Sequence, residues 1–238
     1  MSTPMDAASP APSDVPALVG LPPLRRPASR TDRVRDALRH AILQGTLPPG
    51  RALVEREIAA MLGVSKTPVR EALKQLHSTG LVVTNAYQGV SVRHPDQQLV
   101  HELYTARASA EPCAVGMTAL RSGSGPNAGA RQAFEEAAAL IGAGETDRLG
   151  AANRRFHREL YRECGNTFFC DFLDQLQDLT AFVAGLGWRV RATFEEEAAE
   201  HAAILDAVET GDAELAERLT LQHIRTAERN VARTLGTE

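Results

Sequence analysis

Cysteine is scarce in this 238-residue chain. The three that occur, Cys113, Cys164 and Cys170, make an odd count with no Cys-x-x-Cys spacing. That excludes a disulfide framework and reads as buried or free thiols in a reducing compartment. No apolar run approaches the roughly 20 residues that a bilayer-spanning helix needs. No charged segment followed by an apolar core marks a secretory leader, so a cytoplasmic location is expected. Aromatic residues make up 5% of the chain, while Ala and Leu are frequent, a balance that favours helices over sheets. The His-Glu-x-x-His signature is absent. Residues 1–28 are rich in Pro, Ala and Ser, with little to bury, and are expected to form a disordered tail.

The length suits one large or two modest domains, and a hydrophobic share of 43% is enough to build cores. Net charge is −4, unevenly spread. From Arg30 to Arg93 ten Lys/Arg stand against five Asp/Glu, and from His94 to Glu238 fourteen stand against twenty-three. A basic front and an acidic rear suit a polyanion reader joined to a module of another kind.

The organising stretch is Leu53–Leu73. Ile58, Met61 and Leu62 fall at i, i+3 and i+4 and predict one apolar helix face. Gly63 stands where that helix must stop, in the left-handed conformation open to glycine. Ser65 or Thr67 then caps a second helix, with Pro68 in its first turn. Val69, Ala72, Leu73 and Leu76 continue the inner face, while Lys66, Thr67, Arg70 and Lys74 point out. A preceding helix over 31–44 presents Val34, Leu38, Ala41 and Ile42. Leu81-Val82-Val83 and Val90-Ser91-Val92 flank a hairpin signal. Such a pair of helices is a helix-turn-helix, whose second helix reaches bases in the major groove.

Gly45–Gly50, Glu55–Ala59 and Gly63–Leu73 resemble the winged helix-turn-helix of GntR-family bacterial transcription regulators. The resemblance covers about residues 30–93. It implies contacts to double-stranded DNA from Arg56, Ser65, Lys66, Thr67, Pro68 and Arg70, with the wing tip (Gln88 and Gly89) against the minor groove or backbone. It also implies a homodimer on a palindromic operator, associated with the nucleoid when bound.

Beyond His94-Pro95 the pattern is helical, with helices expected at 96–121, 126–142, 146–164, 166–187, 194–210 and 212–234, separated by breaks that include Gly142–Gly144 and Gly185–Trp188. Six helices in this space predict an antiparallel bundle. The fold class is therefore mainly α, a winged reader over 29–94 and an all-helical domain over 95–238. Glu102–Glu111, Asn153–Leu160, Asn166, Glu200–Ala207, Gly211-Asp212 and His223 resemble the FCD effector-binding domain of FadR-type GntR proteins.

Asn153 and His157 share a helix face, and His201 and His223 have apolar neighbours at helical spacing. Three inward imidazoles from three helices suit a divalent transition metal, or a set of buried, hydrogen-bonded histidines. The resemblance implies the metal (Zn, Ni or Mn), held by one Asp and three His; Asn153 stands in the Asp position and removes one negative charge. His40, His77, His94 and His101 lack this pattern and read as surface residues. Arg107 is a candidate to pair a small carboxylate effector, and equally fits an ion pair with Glu111 four residues on. The expected function is a ligand-responsive transcription regulator, acting as a repressor and not as an enzyme. Its rivals are a metal-dependent enzyme tethered to DNA, and a dimeric DNA binder without an effector.

Overall fold

The computed structural model describes residues 29–85, 89–143 and 145–235. The expected tail over 1–28, Gln88 at the wing tip and Gly144 lie outside them. Nine helices and two strands run through the described residues: α1 (Arg30–Leu43), α2 (Glu55–Leu62), α3 (Lys66–Ser78), β1 (Val82–Asn85), β2 (Gly89–Val92), α4 (Gln97–Ser122), α5 (Ala128–Ala143), α6 (Thr146–Arg162), α7 (Thr167–Val190), α8 (Phe194–Thr210) and α9 (Ala213–Leu235). The fold is a winged helix-turn-helix followed by a six-helix domain.

Local chemistry sets the element ends. Ser29 Oγ accepts from the Asp32 backbone N–H while Asp32 Oδ2 accepts from the Ser29 N–H, a reciprocal cap that starts α1. Gly63 ends α2 at φ 63°, a conformation in which a Cβ is penalised. Asn166 Oδ1 accepts from the N–H groups of Phe168 and Phe169 and starts α7.

Two expectations are corrected. Met61 is 80% exposed, and Leu62 is also exposed. The buried pair of α2 is Ile58 and Ala59. Ala59 lies about 100° round the helix from Ile58 and about 160° from Met61, so a face centred between Ile58 and Ala59 leaves Met61 in solvent. Gly185–Trp188 is not a break, because α7 runs through it to Val190. Gly187 is buried, and a Cβ there would stand 3.2 Å from Val231 Cγ2 of α9. The glycine serves close helix approach and leaves the helix unbroken.

β1 and β2 pair antiparallel with Val82 opposite Val92 and Asn85 opposite Gly89. The chain ahead of α2 joins this wing: Leu53 N–H donates to Val90 O at 2.8 Å and Val92 N–H to Arg51 O at 2.9 Å. Val34, Leu38 and Ile42 of α1 and Leu73 and Leu76 of α3 form the reader's core. That core runs on into Leu103 and Tyr104 of α4, Leu179 and Phe182 of α7 and Ile224 of α9. A second core, around Ala114, Phe156, Leu160, Leu173, Ile204 and Val208, fills the far end of the rear domain. Reader and rear domain are also tied by Arg39 of α1, whose Nε donates to Asp178 Oδ2 of α7 at 2.7 Å.

Candidate nucleic-acid interface and metal centre

Val69, Ala72, Leu73 and Leu76 bury one side of α3, which fixes what the other side presents. Ser65 is the N-cap, in extended conformation, and its side chain makes no capping bond. Pro68 is the third helical residue, where a backbone N–H has no partner within the helix. Arg56, Ser65, Lys66, Thr67 and Arg70 are exposed, and so is Gly89 of the wing, at φ 73°. Arg70 is held across the turn: its Nε and Nη2 donate to the two Glu55 carboxylate oxygens at 3.0 and 2.9 Å. This bond raises the arginine further and lowers the carboxyl below its usual range.

In the rear domain α6, α8 and α9 bring His157, His201 and His223 together. One ring nitrogen from each lies within 4.8 Å of the other two, and all three rings are buried. His201 Nε2 and His223 Nε2 stand 3.3 Å apart. With Zn–N of about 2.0–2.1 Å and tetrahedral angles, two imidazole nitrogens on one ion stand about 3.3–3.4 Å apart, so this spacing fits a shared ion. The outer nitrogens are engaged as a metal centre requires: His157 Nδ1 meets Glu111 Oε1 at 2.9 Å, and His223 Nδ1 meets Glu200 Oε2 at 2.6 Å. Carboxylates so placed fix the tautomer that turns Nε2 inward. Burial pushes His157 down to about 4, and burial followed by the neighbouring His223 and His157 pushes His201 well down. Both are therefore neutral at pH 7, the form that ligates metal. The donor set fits a divalent transition ion.

Glu111 is shared. Arg107 Nε and Nη2 donate to its two oxygens at 2.8 and 3.1 Å, and all of these groups are buried. Burial opposes ionisation of Glu111, but the Arg107 charge and the His157 hydrogen bond hold its carboxyl well below the usual range. Arg107 thus makes the intrahelical pair that its spacing allowed. It also lines, with Asn153, His157 and His223, a cavity of about 30 Å³. Thr180 faces the same cavity, and its buried hydroxyl has no hydrogen-bond partner among the described residues. His40, His77, His94 and His101 are exposed.

Sequence reasoning missed the carboxylates behind the histidines and behind Arg70. Glu111 lies 46 positions from His157 and Glu200 lies 23 from His223. The available signal was weak: both are acidic residues inside otherwise apolar helical stretches.

Comparison with known proteins agrees with this architecture. Residues 30–92 match the model described as bacterial regulatory proteins, gntR family, and residues 102–226 match the FCD domain. The chain is 31% identical over 192 residues to a protein of Paenarthrobacter nicotinovorans named as a probable D-xylose utilization operon transcriptional repressor, covering 81% of this chain and 84% of that one. A solved GntR transcriptional regulator from Rhodococcus sp. RHA1 superposes with a TM-score of 0.76 at 29% identity, over 88% of this chain and 99% of the other. The structure of E. coli McbR/YncC shares the fold, with a TM-score of 0.74 at 22% identity over 86% and 98%. A winged reader followed by a histidine-bearing helical domain, matched along both halves, makes this chain a member of the GntR family of bacterial transcription regulators, in the FadR-like group that carries an FCD domain.

Proposed function

We propose that the protein is a homodimeric repressor that reads a palindromic operator and releases or retains it according to a small carboxylate bound beside a metal in the rear domain. Arg56, Lys66 and Arg70 contact bases or phosphates. Ser65, Thr67 and the chain at Pro68 bind the backbone, and Gly89 lets the wing approach the duplex. The repressor sign is supported by the name of the Paenarthrobacter relative, a probable operon repressor. Dimerisation is supported by Phe168 and Phe172, four apart on α7 and 85% and 41% exposed.

The observation that carries the effector half is the buried triad with its two supporting carboxylates. His157, His201 and His223 would hold the ion with Asn153 Oδ1 as a neutral fourth ligand, and the ion would supply a Lewis-acidic anchor for a carboxylate oxygen. Thr180 offers a hydrogen bond to the same ligand. The cavity beside the triad has room for one or two waters, so a larger acid binds only by opening the wall formed by Trp188, Arg191 and Thr193. That requirement gives the ligand a preference between two states, which is what regulation needs.

Two measurements test this reading. Selection from random duplexes should enrich a palindrome, and recovery of no sequence would sink the reader assignment. Chelator-stripped protein should gain about 2.7 kcal/mol at a hundredfold excess of Zn²⁺, Ni²⁺ or Mn²⁺ over its Kd, and His201→Ala should lose that gain. No shift with any ion would leave the histidines structural.

A further inference from the structure

Between the reader and the rear domain lies a second cavity, a cleft of about 620 Å³. That is within the roughly 300–1,000 Å³ of small-molecule sites, whereas the triad cavity is far smaller. Arg39 and His40 of α1 form one side. Arg148 and Arg154 of α6 and Trp188 and Arg189 of α7 form the other.

The charge of the cleft is unbalanced. Among the described residues, four guanidiniums line it against one carboxylate, Glu136, and that carboxylate is bonded to Arg155. Arg39 and Arg154 share the single carboxylate of Asp178, at 2.7 and 3.1 Å. Arg148 pairs with exposed Glu145. Arg189 makes no ion pair among the described residues; its guanidinium lies where a Cβ on Gly45 would stand, so it reaches from α7 to the end of α1. Burial, and then the neighbouring Arg39 charge, lowers Arg154. Crowded cations in a partly dry cleft are unfavourable unless an anion sits among them. Guanidinium forks suit phosphoryl oxygens, which accept in pairs. Leu43, Trp188 and Phe194 add an apolar wall.

We propose that this interdomain cleft is a second effector site, for a small organic phosphate whose phosphoryl group is held by Arg39, Arg154 and Arg189 and whose carbon part lies on Trp188 and Phe194. The ligand bridges α1 to α6 and α7, so it fixes how the reader is held on the rear domain. Trp188 lines both cavities and is the sole tryptophan of the chain, so its emission reports on the cleft.

The test is binding of phenyl phosphate to the full chain at constant ionic strength, followed by Trp188 emission and by equilibrium dialysis, with inorganic phosphate as the comparison. One saturable site per chain is expected. It should be unchanged by chelator and in His201→Ala, and about tenfold weaker in Arg189→Ala, the loss of one charge-assisted hydrogen bond. Arg189 is exposed and makes no ion pair among the described residues, so that variant should melt like the wild type. The proposal is overturned by no saturable binding in either readout, by equal affinity in Arg189→Ala, or by loss of binding in His201→Ala, which would move the ligand to the triad. Inorganic phosphate binding as tightly as phenyl phosphate would overturn the organic half.

Discussion

Arg70 meets Glu55 through two hydrogen bonds of 3.0 and 2.9 Å, and Arg107 meets Glu111 through two of 2.8 and 3.1 Å. The chemistry is the same and the lengths are nearly so, but the surroundings are opposite. The Arg70 side chain is 58% exposed, while those of Arg107 and Glu111 are 5% and 1% exposed. An exposed pair contributes little to stability and is readily exchanged, so on the proposed reading a phosphate or a base edge can take the place of Glu55 on Arg70. A buried pair cannot be opened without stranding a charge. Glu111 therefore holds both Arg107 and His157 in place. Hydrogen-bond geometry alone does not separate an arginine whose partner can be exchanged in solvent from one whose partner is locked in the interior; burial does.

The comparison can be broken most strongly from the buried side. Glu111→Ala leaves Arg107 buried and unpaired and should lose about 3–5 kcal/mol in urea unfolding. A loss as small as that of Glu55→Ala would remove the distinction. The histidines give the next effect. In the unfolded chain His157 takes up a proton below about 6.5, whereas in the fold it does so only near 4. Its contribution to stability is thus complete above pH 6.5 and is lost as pH falls through that window, by roughly 3 kcal/mol. His201 acts in the same direction. Unfolding of metal-free protein at about pH 7 and at about pH 4.5, roughly two units below the unfolded-state value, measures it, and a flat profile would contradict neutral buried imidazoles.

On the exposed side, Arg70→Ala should weaken binding to a selected operator by roughly ten- to hundredfold, as expected for loss of a base or phosphate fork, with an unchanged melting temperature. Full affinity would take Arg70 off the reading face. The smallest effect belongs to Met61→Ser, which should stay within about 0.5 kcal/mol in the same unfolding assay because Met61 is in solvent. A core-sized loss would restore it to the inner face of α2.

What could be read from the sequence divides along the same line. Gly63, Pro68 and the Val69–Leu76 stripe are local signals, and each acts within a turn or two of itself. They sufficed for the helix-turn-helix. The inward histidines were legible because each has apolar neighbours at helical spacing, as Ile204, Leu205 and Val208 stand beside His201. Met61 failed because α2 has only two turns, too short for its period to discriminate between faces. Gly187 was misleading because a glycine that ends a helix and a glycine that admits a neighbouring helix look alike in one dimension. Glu111 was legible as the partner of Arg107 one turn away, but not as the partner of His157; that bond, and the roles of Glu200 and Asp178, exist only once distant helices have packed.

α4 extends the matter from equilibrium to mechanics. It starts five residues after β2 ends and runs unbroken past Glu111. From Gln97 to Glu111 is about 21 Å of helix at 1.5 Å per residue. The helix is a strut, with the wing at one end and the histidine centre at the other. Pro112 is the next residue, buried within the same helix. Lacking an N–H, it leaves the Ala108 carbonyl without its usual partner and crowds it. The weakest turn of the strut is therefore Ala108–Pro112, which carries Glu111 itself, so the helix bends most easily where it meets the triad.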